Sequence, residues 1–536
     1  MCGIFFYRGK NHTLSSLQDG IAAVSSRGPD KTVTLIKNDA IMAFHRLSIM
    51  DTSDNGSQPM PHPMDNDIVL MCNGEIYNHT ELIKKYNLKD YRSKSDCEVI
   101  LWLYKLIGIE KTLQELDGVF SFVIVDRSKI IVARDPFGVR PLFYNFTKDI
   151  FVSSVLKGIS NYTQNTGQFP PGHYWESTTN NIVRWYSNKY EMTLLPDNEE
   201  YIIKNIRNLF EKAVEKRMQS HREVGCLLSG GLDSSLVAAL VSRNMKGSKL
   251  KTFSIGLKGA EDLKYARLVA DHIGSDHHEV IVTEQEMINA IPEVIKTIES
   301  MDTTTVRASV PNYLVSKYIK EKTDCKVIFQ GDGADEVCGS YIYLNNAPDP
   351  ASFQNECVSL LNNIHMFDVL RADRTISCWG LEPRTPFLDK IFVNYYMSIY
   401  SPLKLHSHGN IEKYLLRKAF EDSNQLPKEV LYRKKEALSD GCSSKTNSWH
   451  TIIQNHIDKC ITDSDFNTHK SEYKHMKPEL KESLYYRRIF DKYYKSHEKS
   501  ISHFWLPKWC GNITDPSARV LNNYSSTNTS LPQSHT

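Results

Sequence analysis

From residue 205 onward, short apolar runs alternate with helical stretches, and this alternation constrains the fold more than any other feature of the chain. Strands are predicted at residues 224–228, 250–255 and 326–329, and helices at 205–218, 236–241 and 265–272. Regular alternation of strands and helices is typical of a parallel sheet with helices packed against it. We therefore expect an α/β unit in the later part of the chain.

The first 190 or so residues are instead rich in strands. Residues 119–125 and 130–133 are predicted strands joined by a turn, and 67–72 is a buried strand expected to run into a turn at Asn73-Gly74. Helices are predicted near residues 14–25 and from a cap at Ser95 to about Leu106. A polar segment at 196–200 separates the strand-rich part from the part in which strands and helices alternate. We expect domains at 1–195 and 196–521, with a disordered, Ser/Thr/Asn-rich tail at 522–536.

Composition narrows the functional classes. The 536 residues carry 65 Lys and Arg against 63 Asp and Glu, and a net charge of +2 gives no electrostatic footprint for DNA or RNA. No stretch approaches the roughly 20 apolar residues needed to span a bilayer, and the N-terminus does not resemble a secretory signal. The 11 cysteines are scattered without a C-x-x-C pair, as in a reducing cytoplasm. A cytoplasmic protein that binds neither nucleic acid nor membrane is expected.

Cys2 is a candidate nucleophile. Removal of Met1 would leave Cys2 with a free α-amino group, whose reference pKa of about 7.7–8.0 suits a general base beside its own thiol. A second-position cysteine is a weak signal alone, because most such residues are merely tolerated. Its neighbours in the sequence strengthen it.

Four further strings accompany Cys2-Gly3-Ile4. They are Ser26-Arg27-Gly28-Pro29-Asp30, His45-Arg46-Leu47-Ser48-Ile49, Asn73-Gly74-Glu75-Ile76-Tyr77-Asn78 and Arg134-Asp135-Pro136-Phe137-Gly138-Val139-Arg140-Pro141-Leu142. Together they resemble the N-terminal-nucleophile glutamine amidotransferases, over residues 2 to about 190. The resemblance implies an αββα sandwich of two β-sheets flanked by helices. Ser26 is a departure, because some members carry histidine there.

A glutamine pocket needs a cation for the substrate carboxylate and anions for its ammonium. Arg46 can clamp the carboxylate in bidentate fashion, and the resemblance places Glu75 and Asp96 opposite the ammonium and backbone. It also implies the Asn73 side-chain amide and the Gly74 N–H as donors to the oxyanion formed when Cys2 attacks. The implied glutamine-binding residues are Arg46, Leu47, Ser48, Ile49, Met50, Asn73, Gly74, Glu75 and Asp96.

The octapeptide Leu228-Ser229-Gly230-Gly231-Leu232-Asp233-Ser234-Ser235 lies between a predicted strand and a helix. Paired glycines let backbone N–H groups approach an anion, and the helix N-terminus adds partial positive charge. No Gly-Lys-Ser/Thr follows, so this is not a P-loop. The acidic string Gly331-Asp332-Gly333-Ala334-Asp335-Glu336 follows the strand at 326–329, and loop carboxylates there suit Mg²⁺ held against a triphosphate.

The octapeptide resembles the pyrophosphatase-type loop of enzymes that adenylate a substrate. Residues 302–309, 379–389, 433–441 and 505–509 further resemble the asparagine synthetases. This resemblance implies Asp233 and Asp335 as Mg²⁺ ligands. The implied ATP contacts are Leu227, Ser229, Gly230, Gly231, Asp233, Ser234, Ile255, Gln330, Gly331 and Lys435.

Asp332 stands where some asparagine synthetases carry glutamate. We expect it to orient or deprotonate the incoming nitrogen nucleophile. The alternative is that Asp332 is a turn residue whose side chain caps the loop backbone.

Together the resemblances imply a carbon–nitrogen ligase with two active sites. ATP activates the β-carboxylate of aspartate as an acyl-adenylate, and ammonia released from glutamine at Cys2 reaches it through the protein. The expected partners are aspartate, glutamine or ammonia, ATP and Mg²⁺, with a homodimer also expected.

Three other classes remain open. A β-lactam-forming relative would need no ammonia and often lacks Cys2, and a tRNA-modifying enzyme should show a basic stripe. A non-catalytic storage or binding protein has no reason to keep the loop at 229–235 together with Asp335 and Lys435. The string His277-His278-Glu279 lacks the i, i+4 spacing of a helical zinc pair.

Overall fold

The computed structural model describes residues 1–245, 247–444 and 447–521. The tail at 522–536, predicted to be disordered, lies outside these ranges. Within them, no helix is both long and apolar enough to cross a membrane.

The first domain is built on twelve strands. They are β1 (Gly3–Arg8), β2 (Lys31–Lys37), β3 (Ala40–Arg46), β4 (Met60–His62), β5 (Asp65–Ile76), β6 (Gly118–Asp126), β7 (Lys129–Arg134), β8 (Phe143–Phe146), β9 (Ile150–Ser153), β10 (Gly167–Gln168), β11 (His173–Glu176) and β12 (Asn181–Arg184). One six-stranded sheet has the order β10-β8-β9-β1-β3-β2, and the other β12-β11-β7-β6-β5-β4. Neighbouring strands pair antiparallel, as in β1 with β3 and β5 with β6.

Side chains alternate between the two faces of each strand, and the apolar inner faces of the two sheets pack together. In β1, Ile4 and Phe6 join Met71 and Val123 of the facing sheet in one apolar core, because successive side chains point to opposite faces. Three helices complete the domain: α1 (Gln18–Ala23), α2 (His79–Lys85) and α3 (Glu98–Glu115). Apolar residues of α3 pack with those of β5 and β6 on the outer face of the second sheet. The predicted αββα sandwich is confirmed.

Two local predictions need correction. Asn73-Gly74 is not a turn, because β5 continues to Ile76 and Asn73 pairs with Ser121 of β6. Glycine is needed there because β5 and β6 approach closely: a Cβ on Gly74 would lie 2.4 Å from the Val119 carbonyl oxygen. Helix α3 starts three residues after Ser95 and passes Leu106 to Glu115, with non-helical backbone at Gly108 (φ 76°).

The second domain contains the predicted parallel sheet. Its strands are β13 (Val224–Leu227), β14 (Lys251–Leu257), β15 (Asp276–Val282), β16 (Val327–Phe329) and β17 (Glu382–Arg384). The order is β15-β14-β13-β16-β17, with every neighbouring pair parallel. Strand order reverses at β13, so the loops after β13 and β16 leave a crevice at the carboxyl edge, where such sheets bind ligands.

Helices surround this sheet. They are α4 (Glu199–Lys216), α5 (Leu232–Asn244), α6 (Glu261–Ile273), α7 (Glu284–Ile298), α8 (Thr303–Lys322), α9 (Ala334–Cys338), α10 (Pro350–Asn363), α11 (Asp368–Ser377), α12 (Lys390–Met397), α13 (Tyr414–Phe420), α14 (Lys428–Leu431), α15 (Leu438–Gly441), α16 (Trp449–Cys460), α17 (Asp463–His469) and α18 (Lys481–Tyr494). The three helices predicted at 205–218, 236–241 and 265–272 correspond to α4, α5 and α6.

Buried polar contacts join the domains. Arg27 of the first domain donates to both oxygens of Asp373 in α11, at 2.8 and 3.1 Å. Arg140 donates to the Pro383 carbonyl of β17 at 3.3 Å. Strand β17 therefore faces the first domain while belonging to the sheet of the second.

Candidate active sites

Cys2 lies just before β1, at a pocket to which both domains contribute. Its backbone N–H donates to Asn73 Oδ1 at 2.9 Å, and its thiol lies 3.8 Å from the Leu47 carbonyl oxygen. The Met1 ammonium, ahead of it, pairs with Glu382 Oε2 at 3.2 Å. Burial raises the pKa of the Cys2 thiol, and the N-terminal ammonium opposes that rise. A nearby amine is thus already an electrostatic partner of the thiol.

The pocket contains most of the residues predicted to bind glutamine. Those that line it are Cys2, Arg46, Leu47, Ile49, Met50, Gly74, Glu75 and Asp96. Ser48 and Asn73 are not among its lining residues. Ser48 instead donates its N–H to Asp30 Oδ2 at 2.8 Å, which fixes the strand end. Asn73 lies behind Cys2, and its Nδ2 is buried without a partner among the described residues.

The pocket carries charges of both signs. The guanidinium of Arg46 is oriented by the carbonyl oxygens of Ser53, at 2.6 Å, and Asp51. Burial, together with the charges of Glu382 and Asp96, raises the pKa of Glu75 well above its usual value. Burial likewise raises the pKa of Asp96. A pocket that contains both a cation and crowded carboxylates is complementary to an α-amino acid.

A second, larger pocket lies at the carboxyl edge of the parallel sheet. Of the residues predicted to contact ATP, those that line it are Leu227, Ser229, Gly231, Asp233, Ser234, Ile255, Gln330, Gly331 and Lys435. The loops after β13 and β16 touch, because a Cβ on Gly331 would lie 2.9 Å from Asp233 Cβ. Gly230 is not among the lining residues. Its φ of +70° turns the loop where a Cβ would lie 2.4 Å from the Ala266 nitrogen.

The loop from Ser229 to Ser234 is closed by its own hydroxyls. Ser234 Oγ lies 2.9 Å from Ser229 Oγ and accepts from the Ser229 N–H at 3.1 Å. Helix α5 starts at Leu232 with Gly231 as its N-cap and no side-chain cap. Within the part of the chain that the structure describes, the first N–H groups of this helix therefore have no side-chain acceptor, as an anion site at a helix N-terminus requires.

A buried lysine joins the two carboxylates predicted to bind metal. Lys413 Nζ lies 2.5 Å from Asp233 Oδ2 and 2.6 Å from Asp335 Oδ1. Lys435 Nζ pairs with the other oxygen of Asp335 at 2.7 Å. Burial alone would raise the pKa of Asp335, but Lys413 and Lys435 outweigh it and hold that pKa below its usual value. Asp233 Oδ1 is buried without a partner among the described residues.

Asp332 also faces this pocket, in a salt bridge. Its Oδ1 accepts from Arg371 Nη2 at 2.6 Å, and the same nitrogen donates to Asp368 Oδ1 at 2.9 Å. The Tyr341 hydroxyl oxygen lies within hydrogen-bonding distance of both Asp368 Oδ2 and Glu336 Oε1, at 2.7 Å from each. Within the described residues, no hydrogen bond from the Asp332 side chain caps the loop backbone. The alternative of a turn-capping residue thus finds no support in its contacts.

Comparison with known proteins assigns the family. The model of the glutamine amidotransferase domain matches residues 1–187, and that of asparagine synthase matches 205–351 and 345–513. The chain belongs to the asparagine synthase family. Glutamine-hydrolysing asparagine synthetases from Gallus gallus and Homo sapiens are 44% and 42% identical to it. Each comparison covers 98% of this chain and 99% of the relative.

In this member of the asparagine synthase family, each pocket lies mainly within one family match. The Cys2 pocket is built from the amidotransferase match, with Glu382 added from the synthase match. Strand β17, which carries Glu382, also supports the nucleotide pocket, because its Arg384 carbonyl accepts from the Gln330 N–H at 3.0 Å. One short strand therefore contributes to both sites.

The sequence analysis missed several residues of these sites. Lys413, with a side chain 1% exposed, gives no signal in the sequence, since nothing distinguishes Glu412-Lys413-Tyr414 from a surface segment. Arg371 and Asp368 lie on α11, outside every string that was singled out. Glu382 was within such a string, but its place at the Cys2 pocket depends on how the domains dock. These site residues can be recognised only in the folded structure.

Proposed function

We propose that this protein synthesises L-asparagine from L-aspartate and ATP, with glutamine as the nitrogen donor. Glutamate, AMP and pyrophosphate are the other products, and a β-aspartyl-adenylate is the intermediate. The observation that carries this proposal is the placement of β17, which closes the Cys2 pocket with Glu382 and bonds the nucleotide loop through Arg384. A shared strand suits two half-reactions that must exchange ammonia.

At the first site, Cys2 is the nucleophile. Once Met1 is removed, the α-amine of Cys2 takes the thiol proton, and the sulfur attacks the side-chain amide carbon of glutamine. The buried Asn73 Nδ2 and the Gly74 N–H stabilise the oxyanion. The amine returns its proton to the leaving nitrogen, so ammonia departs and a thioester remains. Water hydrolyses the thioester to glutamate and frees the thiol.

Around that reaction, the remaining pocket residues position the substrate. Arg46 binds the α-carboxylate of glutamine, and Glu75 and Asp96 bind its α-ammonium. The raised pKa of both carboxyls supports this role, because a site crowded with negative charge gains most from a cationic ligand.

At the second site, the base of ATP lies against the apolar end of the pocket, at Leu227 and Ile255. The loop from Ser229 to Ser234 and the N-terminus of α5 bind the phosphates. Lys435, together with the buried Lys413, balances the negative charge that develops on pyrophosphate as it leaves. The β-carboxylate of aspartate is the attacking group, and the C–O–P linkage of the acyl-adenylate replaces the broken P–O bond.

Aspartate binding is assigned to the charged cluster beside the phosphate loop. Arg371 supplies a cation for the α-carboxylate, while Glu336 and Asp368 supply anions for the α-ammonium. Burial and the nearby Asp368 raise the pKa of Glu336 well above its usual value, a sign of crowded negative charge. Asp332, paired with Arg371, faces the path of the incoming ammonia.

We also propose that this site binds Mg²⁺ together with the nucleotide. Asp233 and Asp335 provide carboxylate oxygens, the ligands Mg²⁺ prefers, and Asp233 Oδ1 is buried without a partner among the described residues. These two residues would hold the ion against the triphosphate. When bound, it would neutralise phosphate charge and favour departure of pyrophosphate.

Product analysis tests the proposal. The purified protein is incubated with aspartate, glutamine and Mg·ATP, and amino acids and nucleotides are then separated and quantified. Asparagine, glutamate, AMP and pyrophosphate should appear together. Glutamate without asparagine, or ADP in place of AMP, would contradict the proposed reaction.

A further inference from the structure

The last described part of the chain, residues 515–521, forms one wall of the nucleotide pocket. We call these residues the C-terminal segment. Pro516, Ser517 and Ala518 line the pocket that also contains Asp233 and Lys435. The segment is far from them in sequence, so its placement depends on tertiary contacts.

The first anchor of the C-terminal segment is Asp515. Both of its oxygens accept from the Arg307 guanidinium, at 2.8 and 2.9 Å, and Gln454 Nε2 donates to one of them at 2.8 Å. Arg307 belongs to α8 and is fixed from its other side by both oxygens of Glu482. Burial would raise the pKa of Asp515, but Arg307 lowers it to about 2. The anchor is therefore ionised at every physiological pH.

The second anchor is Arg519. It donates to Glu436 Oε2 at 3.1 Å, to the Asp440 carbonyl oxygen at 3.0 Å and to the Ser444 carbonyl oxygen at 3.2 Å. Glu436 directly follows Lys435, the lysine assigned to the phosphates. Arg519 thus connects the C-terminal segment to the backbone that carries Lys435.

The stretch that carries Lys435, residues 432–437, has no regular secondary structure of its own between α14 and α15. A loop without a hydrogen-bond ladder depends on side-chain contacts for its position. On one side, the Lys435 N–H donates to Glu412 Oε1 at 3.0 Å. On the other side, Arg519 holds Glu436 and Asp440. Between these contacts, Lys435 Nζ reaches Asp335 at 2.7 Å.

We propose that the C-terminal segment positions Lys435, with Arg519 as the positioning residue and Asp515 as its anchor on α8. Arg519 touches no part of the reaction itself; it acts by fixing the loop that places a cation at the phosphates. The inference rests on the proposed function, because that function gives Lys435 its role.

The test compares Arg519→Ala, Arg519→Lys and Asp515→Asn with the wild-type protein. Pyrophosphate release is measured with aspartate and ammonium over a range of Mg·ATP concentrations, and ATP binding is measured by calorimetry. Because a misplacement of about 1 Å can cost roughly a hundredfold in rate, Arg519→Ala should lower kcat/KM for ATP at least about tenfold. Arg519→Lys should recover part of the loss, since an ammonium can still reach one of the acceptors.

Two readouts separate positioning from general stabilisation. Hydrolysis of glutamine at Cys2 should stay within roughly twofold of wild type in every variant, and the control Arg488→Ala, which breaks a surface pair with Asp465, should change neither activity. Unchanged kcat/KM for ATP in both Arg519→Ala and Asp515→Asn would overturn the proposal. Equal loss of both activities with a lower Tm in both variants would also overturn it.

If Arg519→Ala does not fold, kcat/KM for ATP of the isosteric variant Asp515→Asn tests the proposal instead. Failure of the proposed function would look different, because the wild-type protein itself would then release no pyrophosphate. The calorimetric ATP affinities of the variants would still report on the position of Lys435.

Discussion

The Cys2 N–H donates to Asn73 and the Cys2 thiol lies beside the Leu47 carbonyl, so both groups are held within the first domain. Replacement of its thiol should therefore abolish glutamine hydrolysis and leave ATP-dependent asparagine formation intact. Cys2→Ala is expected to abolish glutamine-dependent asparagine formation, while formation from ammonium salts survives at nearly the wild-type rate. The measurement is asparagine yield with each nitrogen donor.

An exposed cysteine provides the matched control. Cys460 lies at the end of α16, exposed and away from both pockets, so Cys460→Ala should retain activity with both donors. Loss of ammonium-dependent synthesis in a folded Cys2→Ala protein would contradict the separation of the two sites.

Asp332 is held by a charge rather than by a backbone hydrogen bond. Asp332→Asn preserves its shape but removes the ion pair with Arg371 at 2.6 Å. We expect ATP to bind normally while the capture of ammonia by the adenylate slows by about tenfold to a hundredfold. Asp332→Glu should also slow the reaction, because its extra methylene crowds the salt bridge. Single-turnover asparagine formation with ammonia measures both effects.

The exposed Asp324, which precedes β16, provides the control: Asp324→Asn removes one carboxylate charge outside the pocket. A near wild-type single-turnover rate for Asp332→Asn would leave Asp332 with a purely structural role.

At the scale of elements, the loop between β13 and α5 depends on one glycine. Gly230 has a φ of +70°, and a Cβ there would lie 2.4 Å from backbone atoms of α6. Gly230→Ala should therefore displace the phosphate loop and abolish pyrophosphate release, while glutamine hydrolysis at Cys2 persists.

Gly274 separates backbone strain from steric clash. Its φ is +65°, yet a Cβ would meet nothing within 4 Å. Gly274→Ala should cost about 1–2 kcal/mol of stability for the left-handed backbone and leave pyrophosphate release unchanged. Equal loss of pyrophosphate release in both variants would show that strain alone accounts for the Gly230 effect.

The elements also show what the sequence could predict. The strands and helices on either side of the octapeptide are strongly patterned, so the parallel sheet and the loop at its edge were predictable. The predicted turn at Asn73-Gly74 was wrong. This pair is typical of turns, but here it continues β5, and the glycine allows β6 to approach closely. Lys413 could not be predicted, since its burial between Asp233 and Asp335 depends on the position of α13, which packs against α4.

In the whole molecule, transfer of ammonia between the two sites depends on the contact between the two domains. Arg27 links the Cys2 carbonyl, at 3.1 Å, to Asp373 of the second domain. Glu382 of β17 lines the Cys2 pocket, and the next strand of the sheet leads to the nucleotide loop. Ammonia released at Cys2 therefore starts its path at a surface formed by both domains. We infer that it reaches the adenylate inside the protein, where it stays unprotonated and nucleophilic.

An isotope competition tests whether ammonia is transferred inside the protein. The protein is supplied with aspartate, Mg·ATP and glutamine labelled with ¹⁵N in its side-chain amide, in the presence of unlabelled ammonium chloride at the same concentration. The asparagine formed is analysed by mass spectrometry. Internal transfer should give asparagine labelled mainly with ¹⁵N in its side chain, with one AMP released for each asparagine. Asparagine labelled no more than the free ammonium pool would contradict internal transfer, and the absence of asparagine would contradict the proposed reaction itself.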